Sequence, residues 1–210
     1  ECLIDTINSH FKFSEKKTKN LAIVNKPFSL KRTLKEIHEV FSETAGKKNL
    51  KFILTDDPNL PNGIIGDQIR QKQILINLIG NALKFTSEGS VELEVKSIPL
   101  EKPEEYLYNP CNLQFIVRDT GIGIEEKNLK ALNDILGQTS EEYSKKEQNI
   151  FGLKITKDLV ELQKGKLNIK SEFQKGSEFS FNILYEISDE SFEEDEIIEE
   201  VKTSTNIDDT

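Results

Sequence analysis

Leu3, Ile4, Ile7 and Phe11 open the chain at helical spacing and give way to the polar run SEKKTKN, so residues 1–20 read as the end of a longer helix. Leu21 to Val24 reads as a short strand that Pro27 breaks. Ser29 then supplies an N-cap for a helix whose core face is Leu34, Ile37, Val40 and Phe41 and which ends near Gly46. Leu50 to Leu54 is a second strand, followed by the turn-rich DDPNLPNG and by Asp67 as the cap of the next helix. In that helix, Asp67 to Thr86, Leu75, Leu78, Ile79 and Ala82 share one face, with Ile76 and Leu83 extending it. Ser90 to Ile98 alternates as a half-exposed strand, and after a polar loop with Pro103 and Pro110 its partner runs from Leu113 to Arg118. Leu129 to Leu136 is a short helix, and residues 137–148 are polar and unpatterned. Gly152 to Gln163 is helical again, with Leu153, Ile155, Leu159, Val160 and Leu162 as core positions. Two alternating strands, Lys166 to Ser171 and Glu178 to Tyr185, are joined at Gln174 to Ser177 as a hairpin.

The polar side of the Asp67 to Thr86 helix carries the first chemistry. Asn77, Asn81 and Lys84 stand at i, i+4 and i+7 and so form one strip. Asn is a poor helix former, and Gly80 costs about 1 kcal/mol against Ala inside a helix, so helix stability did not select Asn77, Gly80 and Asn81. Amide oxygens can complete the shell of a Mg²⁺ that takes its other ligands from water and nucleotide phosphates, and a nearby Lys offsets phosphate charge. About thirty residues on, Asp119-Thr120-Gly121-Ile122-Gly123-Ile124 follows a strand and precedes the acidic helix start Glu125-Glu126. Such a turn uses Gly for positive φ and Asp as a cap.

The stretch NLIGNALKFT resembles the asparagine box, and DTGIGI the first glycine box, of the ATP-binding catalytic domain of sensor histidine kinases in the GHKL ATPase superfamily. The resemblance covers residues 13 to 185. It implies an α/β sandwich: a mixed sheet with three main helices on one face, and ATP between the helices and a lid. It implies that Asn81, helped by Asn77, holds Mg²⁺, that Lys84 approaches the phosphates, and that Phe85 lines the pocket. Asp119 would accept from the adenine amine, favouring adenine over guanine. Gly121, Gly123 and Ile124 of that box, Gly152 and Leu153 at the next helix start, and Ser177 near the adenine complete the implied ATP-binding set. Residues 137–148 take the place of the lid.

The sequence also departs from the family. The expected phenylalanine box appears as Leu132-Asn133-Asp134-Ile135-Leu136 without either aromatic. The second glycine box appears as Gln148-Asn149-Ile150-Phe151-Gly152-Leu153, keeping only its last glycine. The first reading is therefore a protein histidine kinase module passing the ATP γ-phosphoryl to a histidine outside residues 1–210 in a phosphorelay. The alternative is a pseudokinase scaffold with weak or no turnover. His38-Glu39 begins like a phosphoacceptor box but continues V-F-S, so His38 reads as an ordinary helix residue, as does His10.

Charge refines the boundaries. The formal charge of −9 is concentrated after Glu186, where eleven acids face one base, leaving 26 acids and 27 bases before it. Residues 186–210 read as an acidic disordered linker, of the kind that leads to a receiver domain in hybrid kinases. By the same resemblance, residues 1–20 would end a dimerisation and phosphoacceptor helix, and residues 21–185 would be the catalytic domain. Expected partners are a second copy, through the upstream helical hairpin, and a receiver in cis or in trans. The near-neutral folded part offers no basic surface for nucleic acid, and no apolar run reaches membrane-span length, so this segment is expected to be cytoplasmic, with anchoring of the parent upstream left open. Cys2 and Cys111 have no paired spacing and read as free thiols.

Overall fold

The computed structural model describes residues 23–100, 109–137, 151–190 and 192. The expected helix over residues 1–20, the lid over residues 138–148, Gln148, Ile150, Lys145, Lys146, Cys2 and the tail beyond Phe192 lie outside these. Among the described residues, seven strands form one sheet: β1 (Lys26–Ser29), β2 (Lys51–Asp56), β3 (Gly63–Gly66), β4 (Ser90–Ile98), β5 (Pro110–Asp119), β6 (Lys166–Glu172) and β7 (Gly176–Ile187). Their order is β1-β3-β7-β5-β4-β2, with β6 also on β7. Only the β2–β4 pair is parallel, because the chain crosses from one to the other through a helix. One edge of β7 faces β5 along its length, and the other is shared between β6 and, at Glu186 and Ile187, β3.

Among the described residues, four helices accompany the sheet: α1 (Leu30–Gly46), α2 (Gln68–Phe85), α3 (Glu126–Gly137) and α4 (Phe151–Leu162). Both expected caps form. Ser29 Oγ accepts from the Arg32 N–H at 3.1 Å, and Asp67 Oδ1 accepts from the Arg70 N–H at 3.0 Å. The second Asp67 oxygen accepts from the Val24 N–H at 3.0 Å, so the carboxylate also ties down the segment entering the fold.

Alternation in the strands sends one face into the core. Val91, Leu93 and Val95 of β4, Leu113, Phe115 and Val117 of β5, and Phe181 and Ile183 of β7 are buried against Leu34, Ile37 and Phe41 of α1, Leu75, Leu78, Ile79 and Leu83 of α2, and Leu159 and Val160 of α4. Phe115 and Phe181 are register partners, and their rings stack at 5.0 Å between centroids. The far face is charged. Arg118 reaches Glu94 at 2.7 Å, Glu178 at 2.9 Å and Glu92 at 3.3 Å, joining β4, β5 and β7.

The structure corrects several expectations. Pro27 lies inside β1, opposite Ile65, and does not end a strand; β1 is an edge, where a residue without an N–H is tolerated. Among the residues of the expected Leu21 to Val24 strand, Ile23 and Val24 are not in strand conformation. The buried stripe of α1 runs Leu30, Thr33, Leu34, Ile37, Phe41 and Ala45, which leaves Val40 on its rim at 37% exposure. Leu162, at the last turn of α4, is 43% exposed. Ile76 is half-buried and packs against the core as expected, while the buried face of α2 also takes in Gln71 and Ile74.

Candidate functional site

The N-terminal end of β4, the C-terminal end of β5 and the N-terminal end of β7 meet at one pole of the sheet, where Asp119 pairs in register with Ser177. Asp119 is buried, 9% exposed. It accepts from the Gly121 N–H at 2.9 Å, and Ser177 presents both its N–H and its hydroxyl to it. Burial raises the carboxyl above the usual aspartate range, and these donors partly offset that shift. Its remaining lone pairs make it an acceptor for a ligand amino group.

Glycines permit the close packing around it. Gly123 has φ +62°, and a Cβ there would stand 2.0 Å from the Glu172 carbonyl oxygen; Gly176 has φ +107°, and its Cβ would stand 1.9 Å from the Asp119 carbonyl oxygen. The Gly121 to Ile124 loop is clamped on three sides. The Ile122 N–H donates to the Phe85 carbonyl at 3.2 Å, the Ile122 carbonyl accepts from the Gln174 N–H at 2.7 Å, and the Ile124 N–H donates to Ser171 Oγ at 2.8 Å. The end of α2, the loop after β5 and the β6–β7 turn therefore form one block around Asp119.

A second cluster lies further back along α2. Asn77 Nδ2 donates to Thr156 Oγ1 at 2.7 Å, and a Cβ on Gly152 would stand 2.6 Å from Asn77 Oδ1. Gly152 therefore lets α4 begin directly against the Asn77 amide. At 1.5 Å per residue, Asn77 and Phe85 are about 12 Å apart along α2, with Asn81 midway. Half-buried Asn81 has no side-chain hydrogen bond among the described residues. Lys84 is exposed, and its ammonium lies 5.2 Å from the centroid of the 45% exposed Phe85 ring.

The structure thus gathers Asp119, Gly121, Gly123, Ile124 and Ser177 around one pole, and sets Asn77 with Gly152 near the middle of α2. Leu153, next to Gly152, is 7% exposed and belongs to the core. Of the residues standing where the phenylalanine box is expected, Leu136 is buried and Leu132 packs against the core. Lys154 is buried, 4.0 Å from Asp158. His38 stacks on Phe52 with centroids 5.7 Å apart and shares a hydrogen bond with Ser42 at 3.3 Å, in keeping with an ordinary helix residue.

Thr156 and Ser171 are absent from the sequence-derived set. Thr156 left no trace in the sequence, because its partner is 79 residues away. Ser171 was within reach: the hairpin pattern over 166–185 places it opposite Ser177. Among the described residues, no group of three or more His, Cys, Asp or Glu could hold a metal ion, and no helix is long and apolar enough to cross a membrane.

Residues 66–187 match the family described as histidine kinase-, DNA gyrase B-, and HSP90-like ATPase. Hybrid signal transduction histidine kinase B of Dictyostelium discoideum is 35% identical over 182 residues, which cover 86% of this chain and 9% of that protein. Signal transduction histidine-protein kinase BarA of Escherichia coli (strain K12) is 30% identical over 187 residues, 89% of this chain and 20% of that protein. The crystal structure of full-length ShkA in complex with AMPPNP shares the fold, with a TM-score of 0.65 at 24% identity over 89% of this chain and 36% of that one. The chain spans a fifth or less of the length of these two curated relatives. With the larger part of its length matched, and with a mixed sheet and helices arranged as the resemblance implied, the chain belongs to the histidine kinase-, DNA gyrase B- and HSP90-like ATPase family.

Proposed function

We propose that this chain is the ATP-binding catalytic module of a protein histidine kinase, delivering the ATP γ-phosphoryl to a histidine on a separate phosphoacceptor helix. The observation that carries the reading is the Asp119 pole: a buried carboxylate with free acceptor capacity, set between a glycine loop and Ser177. Asp119 accepts from the adenine amine, Gly121, Gly123 and Ile124 bring backbone to the base, and Phe85 and Leu153 border the pocket. Ser177 holds the carboxylate in place.

Further along α2, the open Asn81 amide fits a cation that takes most of its ligands from phosphate and water, since the described residues form no acidic cage. Magnesium would neutralise charge on the β- and γ-phosphates. Asn77 reaches the same region only by sharing or leaving its bond to Thr156. Lys84 adds an exposed positive charge, and the backbone at Gly152 faces the phosphate end of the pocket. Catalysis by this module is then positioning and charge neutralisation. A dimer through an upstream helical hairpin, a receiver domain in cis or in trans, and a cytoplasmic setting complete the proposal. The scaffold alternative rests on the losses at Gln148, Ile150, Asn133 and Leu136; the first two lie outside the described residues, Asn133 is exposed and Leu136 is buried in the core, and none of this lends the alternative specific support.

Calorimetric titration with a non-hydrolysable ATP analogue, with and without Mg²⁺, tests this reading beside Asp119→Asn. Magnesium-dependent binding by the wild type, lost in the variant, is expected. Absence of binding by the wild type, or equal binding by the variant, would overturn it.

A further inference from the structure

We infer that Ser171, in β6 and outside the ATP-binding set above, is a positioning residue for base recognition, whose hydroxyl fixes the Asp119–Ser177 acceptor pair against the glycine loop. This rests on the proposed ATP-binding reading and adds a residue to it. The Ser171 oxygen stands at a junction of three elements. It accepts from the Ile124 N–H at 2.8 Å, lies 3.0 Å from the Gly176 carbonyl oxygen and lies 3.0 Å from Ser177 Oγ. Ile124 belongs to the loop after β5, Gly176 to the turn before β7, and Ser177 is the register partner of both Asp119 and Ser171.

Counting hydrogens shows why this position matters. A serine hydroxyl has one hydrogen and two acceptor sites. Ile124 fills one acceptor site of Ser171, and the single Ser171 hydrogen goes either to the Gly176 carbonyl or to Ser177 Oγ. When it goes to Ser177, the Ser177 hydrogen is free to turn toward Asp119, its register partner on β5. When it goes to Gly176, Ser177 must divide its one hydrogen between Ser171 and Asp119. Ser171 thereby sets the direction of a short hydroxyl chain ending on Asp119, and its bond to Ile124 fixes the loop against which a base would lie. The carboxylate keeps enough lone pairs to accept a ligand amine alongside Ser177.

Removing this hydroxyl leaves the fold supported. The loop retains the Ile122–Phe85, Gln174–Ile122 and Gly121–Asp119 hydrogen bonds, and β6 retains its full pairing with β7. The effect should therefore fall on recognition of the amine. The test measures affinity of the 210-residue chain for AMPPNP and for the analogue whose purine lacks the 6-amino group, in wild type, Ser171→Ala and Ser171→Thr, with thermal unfolding recorded for each. The wild type should prefer the amine-bearing nucleotide. Ser171→Ala should cut that preference by roughly tenfold, with weaker AMPPNP binding and little change for the amine-less analogue, while Ser171→Thr, which keeps the hydroxyl, restores it.

Preference unchanged in Ser171→Ala, or equal losses on both nucleotides, would overturn the inference and leave the ATP-binding reading standing. A wild type that binds neither nucleotide would overturn the ATP-binding reading and this inference with it; one that binds both alike would overturn amine recognition at Asp119, and this inference with it, while nucleotide binding stands.

Discussion

Gly176→Ala offers the most demanding check on the Asp119 pole. Two costs follow from the structure. At φ +107° a side chain is in a region L-residues rarely occupy, which costs about 1–3 kcal/mol. The new methyl would also stand 1.9 Å from the Asp119 carbonyl oxygen and 2.8 Å from its carbon, both backbone atoms of the neighbouring strand. Close carbon–oxygen contacts lie near 3.3 Å, so β5 and β7 must separate by more than about 1 Å at the residue that reads the base. Overpacking of this kind costs about 1–3 kcal/mol more.

A loss of about 2–6 kcal/mol lowers the unfolding midpoint of a chain this size by roughly 2–4 °C per kcal/mol, hence about 8–16 °C for a central value near 4 kcal/mol. Because the displaced atoms carry Asp119, affinity for an ATP analogue should also fall at least about tenfold at a temperature where the variant is still folded. Gly46→Ala is the control. It ends α1 with nothing within 4 Å of the added methyl, and should raise the midpoint by roughly 1–4 °C through the unfolded chain, with no effect on nucleotide. Differential scanning fluorimetry and calorimetric titration give both quantities. A Gly176→Ala protein that melts within about 2 °C of wild type and binds the analogue equally well would refute the strand-spacing reasoning.

Three further outcomes follow from other parts of the structure. Tyr185 donates to Gln71 Oε1 at 2.6 Å in the core, while Gln71 Nε2 has no partner; Tyr185→Phe or Gln71→Leu alone should cost about 1–3 kcal/mol by urea unfolding, and the double variant less than the sum. Burial pushes the Cys111 thiol up to about 11, so at neutral pH it should react with a thiol reagent only as the protein opens, far more slowly than in denaturant. Burial opposes ionisation of Glu94 and Glu178, but hydrogen bonds from Arg118 and from Lys96 or Lys170 more than offset it and hold both below the ordinary glutamate range. Their contribution is present above the unfolded-state value and is lost as pH falls through the lower folded one. Asp119 has the opposite sign: its raised folded value favours the native state at low pH, and that part declines as pH climbs through it. Arg118→Leu should flatten the glutamate part in an unfolding midpoint measured against pH, and Asp119→Asn should remove the opposing part.

Much of the architecture is written in local pattern. The caps at Ser29 and Asp67, the apolar stripe of α2, the alternation of β4 and the Asp-Gly turn after β5 are properties of a few neighbouring residues, because side-chain direction repeats every 3.6 residues in a helix and every two in a strand. The sequence therefore determined where α1, α2, β4 and β5 run, and it put Asp119 at a strand end and Asn77, Asn81 and Lys84 on one strip. Tertiary structure decided what that pattern could not reach. Pro27 reads as a breaker until β3 is seen to accept β1 as an edge. Asn77 reads as a free amide until α4 brings Thr156 to it from 79 residues away. Arg118 reads only as the end of a strand until register sets it among acids of β4 and β7, and Ser171 reads as a strand residue until the loop after β5 closes onto it. Each of these depends on which distant segment pairs with which, and in which register. Those choices are settled by burying one common core, and no local window of sequence contains them.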